Sequence, residues 1–204
     1  MEFDARSSPS THPSLLLRIR DAGDAEAWNL FVKSYVPAIH GYCARHRLQD
    51  SDTRDVVQEV LTNVASAIHS FAYDPARGKF RSWLGVITRN TMLKFLDRTR
   101  LPGRGRGGDK PVAVELFDRE VDPAWLDELN QHIFRTARGR VRNEFGNTEW
   151  AVFELNWEQR LPAPEAADRL GRDVGWIYKT KFRILQRLKA EMLVLASDYS
   201  VFRD

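Results

Sequence analysis

Residues 71–98 read FAYDPARGKFRSWLGVITRNTMLKFLDR, and the rest of the chain is understood through them. A short loop punctuated by Pro75 and Gly78 leads into Phe80, Trp83, Leu84, Ile87 and Thr91. These recur every three or four residues, the period of a helix buried along one stripe. Arg81, Gly85, Arg89 and Met92 fall on another face, with Thr88 and Lys94 nearby. The pattern predicts an amphipathic helix with one apolar side and one basic side. A basic face behind a constrained loop suits a polyanion, and on these residues alone it suits plain solvent as well.

Upstream, three more helices are expected. Leu15, Leu16, Leu17 and Ile19 mark a short first one. Asp24 is a fitting N-cap for a second, along which Trp28, Phe31, Val32, Tyr35, Ile39 and Tyr42 recur at helical spacing. Pro37 lies inside that run and should kink or break it, because it has no amide hydrogen to donate. A third helix, about 53–69 and capped by Ser51 or Asp52, buries Val57, Val60, Leu61, Val64 and Ile68. Its other face shows Asp55, Gln58, Glu59, Thr62, Asn63 and Ser66, none bulky and none cationic. With short turns between them, four such helices make a compact bundle.

Downstream, residues 99–123 contain RLPGRGRGGDKPVAV, a composition no helix or strand would choose, which reads as a flexible linker. A second helical set lies beyond it. Trp125, Leu126, Leu129, Ile133, Ala137, Val141 and Phe145 trace a long stripe, Gly146 and Asn147 end it, and Thr148 can cap a helix carrying Trp150, Phe153 and Trp157. Pro164 suits a first helical position, Gly171 a tight turn, and Val174 or Gly175 the start of a last helix with Ile177, Ile184, Leu185, Leu188 and Met192 inside. A short helix, a glycine turn and a longer basic helix form a helix-turn-helix. Gly175, Tyr178, Lys179, Phe182 and Arg183 lie away from the apolar stripe, where Lys and Arg can bond guanine edges and aromatics can touch thymine methyls. The expected organisation is therefore all-α: a leader at 1–12, a helical domain at 13–98, the linker at 99–123, a second helical domain at 124–197 and a tail at 198–204.

Composition narrows the function classes. The chain has 204 residues, 43% hydrophobic and 29% charged, with a net charge of +3, enough for one ordinary domain or two small ones. One cysteine, Cys43, excludes an intramolecular disulfide and a cysteine-clustered zinc site, which suits a reducing cytoplasm. No apolar run is long enough to span a bilayer, and the N-terminus lacks a signal-peptide core. The five histidines are scattered without a metal-binding spacing, and GRGRGG is not followed by the Lys-Ser/Thr of a phosphate-binding loop. Neither a catalytic constellation nor a cofactor or metal site is expected.

Residues 55–90, DVVQEVLTNVASAIHSFAYDPARGKFRSWLGVITRN, carry D-x-x-Q-E-V followed by F-R-x-W-L and R-N, and the segment 164–188 contains DVGWIYKTKFRILQRL. In this order, across a linker of this length, the two resemble bacterial sigma factors of the extracytoplasmic-function type, which consist of domains two and four of larger sigma factors. The resemblance covers nearly everything from Ser14 to Met192. It implies that Asp55, Gln58, Glu59 and Asn63 dock on the clamp-helix coiled coil of core RNA polymerase. It implies that the loop Tyr73 to Lys79, with Tyr73, Asp74 and Lys79, captures a flipped base of the −10 promoter element, while Arg81, Arg89, Asn90 and Lys94 hold the single strand. Phe80, Trp83 and Leu84 would pack beneath. It further implies that Gly175, Trp176, Tyr178, Lys179, Phe182 and Arg183 read the −35 element in the double strand. Trp176, Tyr178 and Lys181 depart from commoner members, so no promoter sequence carries over. The implied partners are core RNA polymerase and promoter DNA, with an anti-sigma factor as a regulator the family often uses, no membrane insertion, and cytoplasmic location. Without the family, the same residues also suit a helix-turn-helix regulator with an N-terminal dimerisation or effector bundle, or a helical adaptor.

Overall fold

The computed structural model describes residues 13–69, 71, 80–100 and 121–197, and every regular element among them is helical. The contacts divide the chain into two compact units, one ending at His132 and one comprising Ile133–Ser197.

The first unit opens with α1 (Pro13–Arg18) and α2 (Ala25–Arg45). Asp24 caps α2 as expected: its carboxylate accepts the Ala27 N–H at 3.0 Å and the Arg18 guanidinium at 2.7 Å. The Arg18 hydrogen bond, seconded by the backbone one, holds the Asp24 carboxyl below its ordinary range. α2 runs through Pro37 without a break. α3 spans Asp50–Ala67, beginning earlier than the pattern suggests; its cap position is Gln49, not Ser51 or Asp52, and no side chain caps it. Val56 and Ala67 join Val57, Val60, Val64 and Ile68 inside, while Leu61 stays half-buried.

α4 (Phe80–Arg100) is the centre of this unit. Phe80 is fully buried in an aromatic cluster with Phe31, Tyr35, Phe71 and Trp83, their ring centroids 5.3–6.1 Å from its own. Edge-on and tilted pairs of this kind add to the area they bury. The apolar stripe is where the sequence puts it, but the opposite side is not a free basic face. Every residue from Trp83 to Thr88 is buried, and so is Met92. What covers that side is the start of α5 (Pro123–Arg142). Trp125 is fully buried and donates its indole N–H to the Arg81 carbonyl at 2.9 Å. A Cβ at Gly85 would stand 2.4 Å from the Trp125 ring, and one at Gly41 2.2 Å from the Glu128 carboxylate. Gly85 permits a close approach to a rigid ring that a side chain would block, whereas at Gly41 the neighbour is the end of a flexible side chain.

The second unit holds the rest of α5, α6 (Asn147–Val152), a π-helical turn (Phe153–Glu158), α7 (Ala163–Leu170) and α8 (Val174–Ser197). Gly146, not Thr148, occupies the cap position of α6, and its N–H is taken by Glu149 at 3.2 Å. Trp150 is buried beneath the guanidinium groups of Arg138 and Arg142, each 5.5 Å from its ring. Trp157 is 48% exposed, although the three-and-four spacing from Trp150 and Phe153 would bury it. The π-turn is the reason: Gln159 N–H bonds the Glu154 carbonyl five residues back, adding a residue to the turn and rotating the residues beyond it. Glu191 is buried between Arg140 at 2.8 Å and Arg187 at 3.1 Å. Burial alone would raise its pKa, but those two hydrogen bonds outweigh it and hold the carboxyl below its ordinary range.

Candidate protein and nucleic-acid interfaces

Helix α3 presents Asp55 and Gln58 to solvent. Thr62 and Ser66 point their hydroxyls back to the carbonyls of Gln58 and Thr62, at 2.9 and 3.0 Å, so they add little hydrogen-bonding capacity to that face. Glu59 is ion-paired with Arg98 of α4. Asn63 is half-buried, and its amide donates to Thr91 Oγ1 at 2.9 Å. The four residues assigned to one docking surface thus divide by environment. Asp55 and Gln58 stand on open surface, while Glu59 and Asn63 also tie α3 to α4.

On α4, Arg89 and Lys94 are exposed and Arg81 and Asn90 half-buried. Tyr73, Asp74 and Lys79 lie outside the described residues. Arg81, Gly85 and Arg89 are four residues apart and share a stripe, and the α5 start lies along it. The Asp122 carboxylate is 3.8 Å from the Arg89 guanidinium and accepts the Tyr42 hydroxyl at 2.7 Å. Burial works to raise the Asp122 pKa, but hydrogen bonds from Tyr42 and the Ala124 N–H prevail and keep it low. Asp127 approaches Arg45 at 3.5 Å. Sequence reasoning missed Asp122, Trp125 and Glu128 as neighbours of this face. The available signal was a pair of glycines, Gly41 and Gly85, in helix interiors where glycine is otherwise unfavourable.

The α7–α8 pair is joined at Gly171, whose φ of 61° is the left-handed conformation glycine adopts without a Cβ clash. The Arg172 N–H reaches the Ala167 carbonyl at 3.0 Å, closing α7, and Asp173 starts α8 by accepting the Trp176 N–H at 2.8 Å. Gly175, Tyr178, Lys179, Phe182 and Arg183 are all exposed, with Tyr178 at 58% and Phe182 at 62%. Trp176 is different. It is half-buried against the small core of Val152, Ala163, Ala166, Ala167 and Ile177, with the Arg172 guanidinium 5.2 Å from its ring. Arg183 bonds Glu149 at 3.0 Å and lies over Phe145. Lys181 lies 5.4 Å from the exposed Trp157 ring, half-buried at the margin of the apolar stripe.

Two kinds of exposed surface are therefore present: a carboxylate and amide face on α3, and an aromatic and cationic face on α8. Among the described residues no group of three or more His, Cys, Asp or Glu is placed to hold a metal ion, and no helix is long and apolar enough to cross a membrane. Residues 31–101 match Sigma-70 region 2. The matched stretch is α2 from Phe31 onward, all of α3 and all of α4, so region 2 coincides with the helices that carry the α3 face and the aromatic cluster around Phe80. The match likens this part of the chain to region 2 of sigma-70 family sigma factors, which work in transcription initiation with core RNA polymerase. The α7–α8 pair lies outside the region 2 match. No curated protein gives a significant match to the chain.

Proposed function

We propose that this protein is a sigma factor of the extracytoplasmic-function type that binds core RNA polymerase and directs promoter recognition and initial melting. Residues 13–98 serve as domain two and 124–197 as domain four, with 99–123 between them, working in the cytoplasm without a cofactor. The observation that carries the reading is the region 2 match over residues 31–101, which lands on the helices presenting Asp55, Gln58 and Glu59. These residues, with Asn63 behind them, dock on the polymerase clamp helices. Lys79, Arg81, Arg89, Asn90 and Lys94 follow the single strand of the −10 element, with Tyr73 and Asp74 in the base-capturing loop, because cations beside aromatics neutralise phosphates while bases stack. The helix-turn-helix of α7 and α8 reads the −35 element. Exposed Tyr178, Lys179 and Phe182 face the major groove beside Gly175. Arg183 reaches it at the groove edge, and Trp176 anchors the helix start. An anti-sigma factor is a fitting regulator.

Core polymerase with this protein should initiate from a cognate promoter on genomic fragments, and core alone should not. Asp55→Arg with Glu59→Arg should abolish co-purification with core while the protein stays folded. If the wild-type protein never binds core in a pull-down, the sigma reading is wrong.

A further inference from the structure

The start of α5 lies on the α4 stripe that carries Arg81, Gly85 and Arg89, and its chemistry is that of a short nucleic-acid strand. Asp122 sets a carboxylate 3.8 Å from Arg89, and Asp127 sets another 3.5 Å from Arg45. Between them Trp125 places a flat indole where Gly85 leaves room for it, edge-on to Tyr42 at 5.9 Å and bonded to the Arg81 carbonyl. Anionic groups beside guanidinium groups, spaced around one inserted ring, are what a phosphate backbone carrying an unstacked base would offer the same surface. We infer that residues 122–128 are an internal mimic of single-stranded DNA, and that this segment and a single strand occupy the α2–α4 surface in alternation. The inference rests on the reading of α4 as a strand-binding helix.

The two ion pairs favour exchange. Both are longer than a direct hydrogen bond, and the Arg89 and Arg45 side chains are 46% and 40% exposed, so solvent screens the pairs and a phosphate can replace a carboxylate at little loss. Trp125 is the part that closes the surface, because a fully buried indole must leave before a base can enter. A closed form that outnumbers the open one weakens apparent affinity for the strand by the same ratio.

The test uses the full-length protein and a fluorescein-labelled single-stranded DNA 20-mer of mixed sequence, followed by anisotropy. Trp125→Ala should tighten binding about tenfold, the gain expected when a tenfold excess of closed form is removed. Asp122→Asn with Asp127→Asn should tighten it in the same direction, and more than Asp50→Asn with Asp52→Asn, which changes net charge equally but lies in the first turn of α3. Should Trp125→Ala fail to fold, the Asp122 and Asp127 pair carries the comparison. In the wild type, amide hydrogen exchange across 121–132 should rise when the oligonucleotide saturates the protein. The mimicry is overturned if folded variants bind the strand no more tightly than wild type or the α3 control, if none binds it at all, or if exchange across 121–132 stays level or falls. Core-dependent transcription is scored separately. Its failure removes the sigma reading, whereas normal transcription with unchanged exchange removes only the mimicry.

Discussion

α4 and α8 are both long helices, 21 and 24 residues, and both mix aromatics with cations. In α4 every side chain from Trp83 to Thr88 is buried, Gly85 lies beneath Trp125, and one flank is packed by the aromatic cluster around Phe80. α8 keeps Ile177, Ile184 and Leu188 inside and leaves Tyr178 and Phe182 standing in solvent. The composition is similar and the surroundings are not. What separates them is a partner segment: α4 is covered on its second side by residues that come much later in the chain, and α8 keeps a side that its own unit does not cover. Aromatic residues are therefore scaffold in one helix and exposed surface in the other.

The largest expected effect tests the scaffold half of that contrast. Phe80→Ala should destabilise the protein by about 3–5 kcal/mol, the range for emptying a fully buried aromatic site, read by chemical denaturation. A smaller loss should accompany Gly85→Ala, about 1–3 kcal/mol, because the new methyl meets the Trp125 ring where the structure leaves no space. If Gly85→Ala is neutral, α4 is not covered on that side and the contrast between the two helices narrows.

The next prediction concerns what holds α8 in place. Glu191→Gln should cost about 1–2 kcal/mol at neutral pH, since Arg140 and Arg187 lose charge-assisted hydrogen bonds. The folded pKa of Glu191 lies below its ordinary 4.5. Its contribution is therefore fully present above that value and is lost as pH falls through the folded pKa. Denaturation of wild type and variant across pH 3–7, an acid-to-neutral span of about four units around the carboxyl range, should show two curves that converge at the acid end. Curves that stay parallel would mean that the carboxylate does not clamp the helix. The smallest effect on stability belongs to Phe182→Ala, within about 0.5 kcal/mol for an exposed site, although duplex binding should weaken measurably. A large stability loss would show Phe182 to be scaffold like Phe80 and remove the contrast.

The helices and their inner stripes were legible because period and burial are local properties. Phe31, Tyr35, Ile39 and Tyr42 in α2, and Val57, Val60 and Val64 in α3, are inside where their spacing puts them. The Asp24 cap was legible for the same reason, since its hydrogen bond closes within three residues. The second buried side of α4 was not, because its cause is Trp125, far away in sequence and free to meet α4 only once the chain has folded back. Ser51 and Asp52 look like caps, but α3 begins one and two positions before them, at Asp50, which places them inside its first turn. The surfaces were legible in chemistry and less so in detail. Tyr178, Lys179 and Phe182 are exposed as their register demands, whereas Trp176 is drawn inward by the small alanines of α7 and Asn63 by Thr91.

The π-turn at Phe153–Glu158 acts as a phase shift in the polypeptide. The wider turn rotates less per residue than the about 100° of an α-helix, so that Trp150 and Phe153 face the interior while Trp157, inside the turn, emerges beside Phe134, Leu188 and Met192. In an uninterrupted α-helix the seven residues from Trp150 to Trp157 would bring the indole back to within about 20° of the side where Trp150 lies. The five-residue hydrogen bonding of this stretch thus decides which aromatic ring the second unit displays.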